Sequence, residues 1–145
     1  MAVNIADTSF LFSLYGNDTR TASAKAWVRR KNQPITITTL SRYELGNALR
    51  FAAFRKVISP TDALASLAAL EADLQASYLQ IAPCDFLAII EEARRLSDRY
   101  TLTGGHRSFD ILHVATARVV KATTFLSFDA NQRKLAGAVG LTVAP

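Results

Sequence analysis

The sequence predicts an α/β protein, a mainly parallel sheet of four to five strands covered on both faces by helices. Three observations lead there. Short apolar or β-branched runs at residues 3–6, 35–38, 78–81, 124–128 and 141–143 alternate with segments of helical periodicity, the pattern of a chain built from βαβ units. At 145 residues, half of them hydrophobic, the chain has the length of one domain and buries its core without disulfides or a structural metal. The first strand ends abruptly in Asp7-Thr8-Ser9, and open α/β sheets bind their ligands in the crevice beyond the strand ends.

Taken in order, residues 9–15 form a short buried helical turn closed by Gly16-Asn17-Asp18. Asp18 or Thr19 caps a helix through about Lys31. Ala22, Ala26 and Trp27 recur on it at helical spacing, and Arg20, Lys25, Arg29, Arg30 and Lys31 give it a basic outer face. Pro34 stops this element before the strand at 35–38. Ser41 and Glu44 stand at capping-box spacing with Leu40 and Leu45 in the staple positions, so a helix is expected from there to about Lys56. Ser59-Pro60-Thr61-Asp62 starts another, to about Ser77, ahead of the strand at 78–81.

Pro83 and Asp85 begin a long helix through about Tyr100, with Glu91–Arg95 and Arg94–Asp98 as surface pairs four apart. Residues 101–107 read as a polar, glycine-containing loop, and Ser108 caps a helix from Phe109 to about Lys121. A strand at 124–128, a helix at 130–138 and a strand at 141–143 complete the chain. With no repeat, low-complexity segment or linker, residues 1–145 read as a single domain.

Composition narrows the function. The formal charge of +5 comes from 17 Lys and Arg against 12 Asp and Glu, and twelve of the cations are arginine, the better fork for phosphate oxygens. A polyanionic partner is the expectation. The single cysteine, Cys84, makes no internal disulfide, excludes a Cys-based zinc cluster and fits a reducing cytoplasm. No signal-like start and no run of roughly 18 apolar residues is present, which reads as a soluble, cytoplasmic protein with no membrane partner. The absence of a Gly-x-x-x-x-Gly-Lys loop argues against a nucleotide-triphosphate enzyme.

Eight of the twelve acids have an ordinary explanation in turns, caps, surface pairs or an exposed helix. Asp7, Glu44, Asp110 and Asp129 remain. Asp7 ends the first strand, Glu44 lies in the first helical turn after the second, Asp110 follows the Gly104-Gly105 loop, and Asp129 lies just past the fourth strand. Parallel strands exit along one edge, so the four are expected to converge in one crevice. Each also has a local role open to it: Glu44 in a capping box, Asp110 at a helix N-terminus, Asp129 as an N-cap. Clustered carboxylates repel unless a cation is present, and oxygen-only ligands favour Mg²⁺ or Mn²⁺ over zinc. The expected chemistry is metal-assisted attack of water on a phosphodiester.

The set Asp7-Thr8-Ser9, Ser41-x-x-Glu44, Asp110-x-x-His113-x-Ala115-x-Ala117 and Ser127-Phe128-Asp129 resembles the PIN domain, specifically the VapC-type ribonuclease toxins of toxin–antitoxin pairs. The resemblance spans essentially the whole chain. It implies a three-layer α/β/α sandwich and a Mg²⁺- or Mn²⁺-dependent endoribonuclease in which Asp7, Glu44, Asp110 and Asp129 hold one or two ions. It further implies that Ser9 orients the acids through its hydroxyl, with Thr8 and Ser127 as lesser candidates for that task. The partners implied are RNA, a second copy in a homodimer, and a small antitoxin whose tail enters the acidic site. Asp129, at the position the family varies most, is the weakest of the four ligands.

Residues outside this set have readings of their own. His113, one turn from Asp110, reads as a histidine packed on a core-facing helix. His106 and Arg107, beside the site, are candidates for RNA contact, as is Arg42 and, more weakly, Arg50. Phe51 and Phe54 read as core or dimer contacts, and Phe10, Phe12 and Tyr15 as apolar packing or dimer surface. A haloacid-dehalogenase phosphatase requires a second Asp where Ser9 stands, and a receiver domain requires one where Pro83-Cys84 stands. A non-catalytic RNA-binding or regulatory PIN module is the alternative from another class; the intact acid set argues against it.

Overall fold

The computed structural model describes residues 2–145. Five strands, β1 Asn4–Ala6, β2 Ile35–Ile37, β3 Leu79–Ile81, β4 Thr124–Leu126 and β5 Thr142–Ala144, form one sheet in the order β3-β2-β1-β4-β5. Every pairing is parallel. The expected α/β architecture is therefore present, with five strands and no antiparallel member. The chain first builds outward from β1 through β2 to β3, then returns to β1's other side for β4 and β5. The point where the order reverses lies between β1 and β4, the place where open α/β sheets take their ligands.

Residue alternation along each strand sends side chains to two cores. Ala6, Ile35, Ile37, Leu79 and Leu126 pack with Phe10, Leu11, Trp27, Leu45, Leu49 and Leu70. These belong to α1 (Thr8–Tyr15), α2 (Thr21–Lys31), α3 (Thr39–Phe54) and α4 (Pro60–Gln75). Ile5 and Phe125 point the other way, to Ile89, Ile111, Val114 and Leu135. Those residues come from α5 (Phe86–Leu96), α7 (Ser108–Val119) and α8 (Ala130–Ala138). Among the described residues no helix is long and apolar enough to cross a membrane.

Several boundaries differ from the sequence reading, each for a local reason. Helix α3 starts earlier than the Ser41 cap: Thr38 is its N-cap and Ser41 the third residue, the two side chains satisfying each other's backbone N–H groups. In α2 the inward positions are Thr21, Ala24 and Trp27, and Ala22 and Ala26 face solvent. Asp18 does not cap it; its carboxylate accepts from Arg20 N and the Ser13 hydroxyl and so shapes the preceding turn.

Residues 101–107 are not one loop. A π-helical turn, Ser97–Thr101, carries α5 onward into a last helical turn, α6 (Leu102–Gly104). Gly105, at φ 64°, then turns the chain back, a conformation glycine adopts without strain. Ser108 lies inside α7 rather than capping it, and Arg107 occupies the N-cap position. The surface pairs on α5 are spaced three apart, Arg94–Glu91 and Arg95–Glu92, and Arg118 of α7 joins Glu92. Phe51 and Phe54 stack on each other while 53% and 79% exposed, which removes them from the core but not from an interface.

The new start of α3 is checked by Thr38→Ala. It is expected to cost about 1 kcal/mol of unfolding free energy in urea titrations, the usual worth of a lost N-cap. An unchanged midpoint would return the cap to Ser41.

Candidate active site

Asp7 takes its position from two constraints. Ala6 pairs with Leu126 in the β1–β4 ladder, and the Asp7 N–H continues that ladder to the Leu126 carbonyl at 3.0 Å. Asp7 is also the N-cap of α1, accepting from Phe10 N at 2.9 Å. Its side chain therefore sits at the switch point, only 1% exposed. The Ser9 hydroxyl donates to Oδ1 at 2.7 Å and the Ser127 hydroxyl to Oδ2 at 2.6 Å. These three donors are uncharged. Burial pushes the carboxyl above its usual range, although the hydrogen bonds and the nearby His113 pull the other way.

Glu44 is placed by the same cap that shifted α3. With Thr38 and Ser41 closing the capping box between themselves, Glu44 lies beyond the first turn and its carboxylate is free to reach across the sheet end. Oε2 accepts from the Thr8 hydroxyl at 2.6 Å and from His113 Nε2. Burial alone raises its pKa, but the hydrogen bond and charge of His113, with the Thr8 hydroxyl, outweigh it and hold Glu44 below the usual carboxylate range.

Asp110 and Asp129 are joined by a residue the sequence reading passed over. Asp129 is the N-cap of α8, its Oδ1 accepting from Gln132 N at 2.8 Å. The Gln132 amide then donates to Asp110 Oδ1 at 3.1 Å, while Arg107 Nε donates to Asp110 Oδ2 at 3.2 Å. Asp129 has the spacing of a capping box with Gln132, so the signal was there. The reciprocal bond is not made because Ser127 Oγ already accepts the Asp129 N–H at 3.0 Å, which leaves the Gln132 side chain for Asp110.

One path of hydrogen bonds thus runs from Asp7 through Ser127, Asp129 and Gln132 to Asp110. Glu44 enters from the other side through Thr8 and His113. Ser9 braces both the acid and the turn, since its hydroxyl also accepts from Phe128 N at 3.0 Å. His113 is buried, as expected of a core-facing histidine, but its partner is an acid of the set.

The three candidates for substrate contact fare differently. Arg107 is exposed at the rim, paired with Asp110. His106 is buried against Gly104, where a Cβ would strike its ring, and its Nδ1 is unpartnered. Arg42 is held by Glu71 through Nε and Nη2 on the outer side of α3 and α4. Two further arginines stand on the turn after β4: Arg133 donates to the Ser127 carbonyl at 2.7 Å and Arg20 to that of Phe128 at 3.0 Å. Arg20 also stacks over the Phe128 ring.

Among the described residues no three Asp, Glu, His or Cys side chains gather closely enough to hold an ion between them, because Glu44 and Asp110 are turned toward His113, Arg107 and Gln132. The chemistry of the donor set nevertheless fits a hard divalent cation. The four acids offer oxygen alone, Asp7 is a buried carboxylate with only uncharged donors, and the buried carbonyl of Gln132 beside Asp110 has no donor.

A five-stranded parallel sheet between two helical layers, with Asp7 at the β1–β4 switch point, defines a three-layer α/β/α protein. Residues 5–138 match the PIN domain family model, and the chain belongs to the PIN-domain family. The fold is similar to that of Mycobacterium tuberculosis VapC20, described as a sarcin–ricin loop cleaving toxin, at 19% identity and TM-score 0.68 over 97% of this chain and 98% of that one. It is also similar to PAE2754 from Pyrobaculum aerophilum, at 18% identity and TM-score 0.65 over 98% and 89%. FitAcB from Neisseria gonorrhoeae aligns at 13% identity and TM-score 0.64 over 99% and 97%. No curated protein matches the chain in sequence.

The pKa of Asp7 has a consequence for stability. A carboxyl raised in the folded state binds its proton more tightly there than in the unfolded chain. Stability therefore falls as pH rises from the usual 3.8 through the raised value, and stays lower at neutral pH. Asp7→Asn removes that cost and keeps the N-cap acceptor, with the Ser127 hydroxyl turning to accept. In EDTA at pH 7 the variant is expected to melt above the wild type, the gain shrinking toward pH 4. A variant that melts lower at pH 7 would refute this.

Proposed function

We propose that the protein is a Mg²⁺- or Mn²⁺-dependent endoribonuclease and the toxin of a VapBC-type toxin–antitoxin pair, acting in the cytoplasm. The observation that carries the reading is the buried Asp7 carboxylate at the switch point, hydrogen-bonded on both oxygens by uncharged donors and joined by no salt bridge among the described residues. An uncompensated buried charge is costly and persists where a ligand completes it. PIN-domain membership and the likeness to a toxin described as cleaving the sarcin–ricin loop support the nuclease and RNA parts of the proposal.

In this reading Asp7, Glu44, Asp110 and Asp129 hold one or two ions. Bound there, the metal supplies an activated water and neutralises charge developing on the scissile phosphate. The protein's own residues do the rest. Ser9, Ser127 and Thr8 fix the carboxylates so that they do not collapse onto one another. The hydrogen bond and charge of His113 favour the ionised form of Glu44. Arg107, Arg133 and Arg20 stand at the rim, the last two fastened by single bonds that leave other guanidinium donors for phosphate oxygens. Arg42, committed to Glu71, has a smaller part in RNA contact than its charge suggested.

A homodimer and a small antitoxin complete the proposal. Tyr43, Phe51, Phe54, Val57 and Leu64 leave apolar area exposed on α3, α4 and their connection, in support of such assembly. One observation favours the other reading, a non-catalytic RNA-binding PIN module: Glu44 and Asp110 are each engaged by a basic neighbour of the same chain. Cleavage separates the two. Purified protein is expected to cut RNA with Mg²⁺ or Mn²⁺ and not in EDTA, and Asp7→Asn to lose about a hundredfold or more of the rate. RNA binding without cleavage under either metal would sink the enzyme. In cells, expression without an antitoxin is expected to arrest growth and Asp110→Ala to relieve the arrest; equal growth with both would overturn the toxin role.

A further inference from the structure

Gln132 is 7% exposed, lies between two acids of the site, and is left without a task by the reading above. Its backbone N–H serves Asp129 and its side-chain amide serves Asp110, so one residue sets the spacing of two carboxylates contributed by different helices. Its carbonyl Oε1 is buried and has no donor. A buried acceptor left unpaired is destabilising, and a glutamine kept only to fill space is better replaced by methionine. The two holds on Asp110 also differ in kind. Arg107 is an exposed side chain gripping Oδ2 from solvent, whereas Gln132 grips Oδ1 from inside.

We propose that Gln132 is a positioning residue of the site: its amide N–H fixes the Asp110 carboxylate against Asp129, and its buried, free carbonyl would add a neutral oxygen beside the acids that would hold the cation. Arg107 is the releasable partner of Asp110 and Gln132 the permanent one. This rests on the four-acid metal reading but adds to it a neutral residue, on which the orientation of Asp110 depends.

Two variants test it in opposite directions, with Mn²⁺ binding followed by calorimetry and by the metal-induced rise in melting temperature. Gln132→Met keeps the volume and removes both polar ends. It is expected to stay folded in EDTA, to bind Mn²⁺ about tenfold or more weakly, and to lower kcat with KM for RNA unchanged. Gln132→Glu sets a second charge against Asp110, so the metal-free protein melts lower and the rise on adding Mn²⁺ exceeds that of wild type. If either folded variant matches wild type in its Mn²⁺ response to within about a factor of two, the inference fails and the four-acid reading stands. If wild type itself takes up no Mn²⁺, both fall.

Discussion

The hydrogen bond from Ser127 to Asp7 joins the two halves of the chain where the sheet changes direction. β2 and β3 lie on one side of β1 and β4 and β5 on the other, and the helices that precede β3 cover one face of the sheet while those that follow it cover the other. Ser127, fully buried, donates to Asp7, accepts from Asp129 N and lies next to the Ser9 hydroxyl. A single hydroxyl therefore ties the end of β1 to the start of α8. Without it a buried carboxylate loses a donor and the turn after β4 loses an acceptor, so fold and site share one point of failure.

Much of this was legible because it is periodic or local. Strands alternating with helices gave the sheet, and the lack of an ordinary surface explanation singled out Asp7, Glu44, Asp110 and Asp129 as candidates. What was not legible depended on competition between neighbours. Ser41-x-x-Glu44 has capping-box spacing, but Thr38 stands three residues before Ser41 and takes it, so the helix begins sooner and Glu44 is released. Asp129-x-x-Gln132 has the same spacing, but Ser127 arrives first at the Asp129 N–H. Residues 101–107 looked like a loop because threonine and glycine form helices poorly, yet the helix persists to Gly104 through a π-helical turn.

The basic residues show how far charge alone can be read. The arginine excess suggested a polyanionic partner, and its members turn out to be distributed by task. Arg42, Arg94 and Arg95 pair with glutamates on helix surfaces, Arg118 bridges α5 and α7, and Arg20, Arg107 and Arg133 lie around the acids. Those last three are tethered to the turn after β4 or to Asp110 itself. Three guanidinium groups thus stand beside Asp110 and the turn that carries Asp129, whereas the other paired arginines are spent on helix surfaces.

The order of the strands also bears on when the site comes into being during synthesis. A nascent chain halted before β4 already carries Asp7 and Glu44, but β1 then has a neighbour on one side alone and Asp7 lacks the Ser127 hydroxyl. The two sides of the site are joined by a contact between residues 120 positions apart, the kind that forms late because its loop-closure entropy is largest. A chain halted before β4 therefore lacks the contact that closes the site, whatever helices it has already formed.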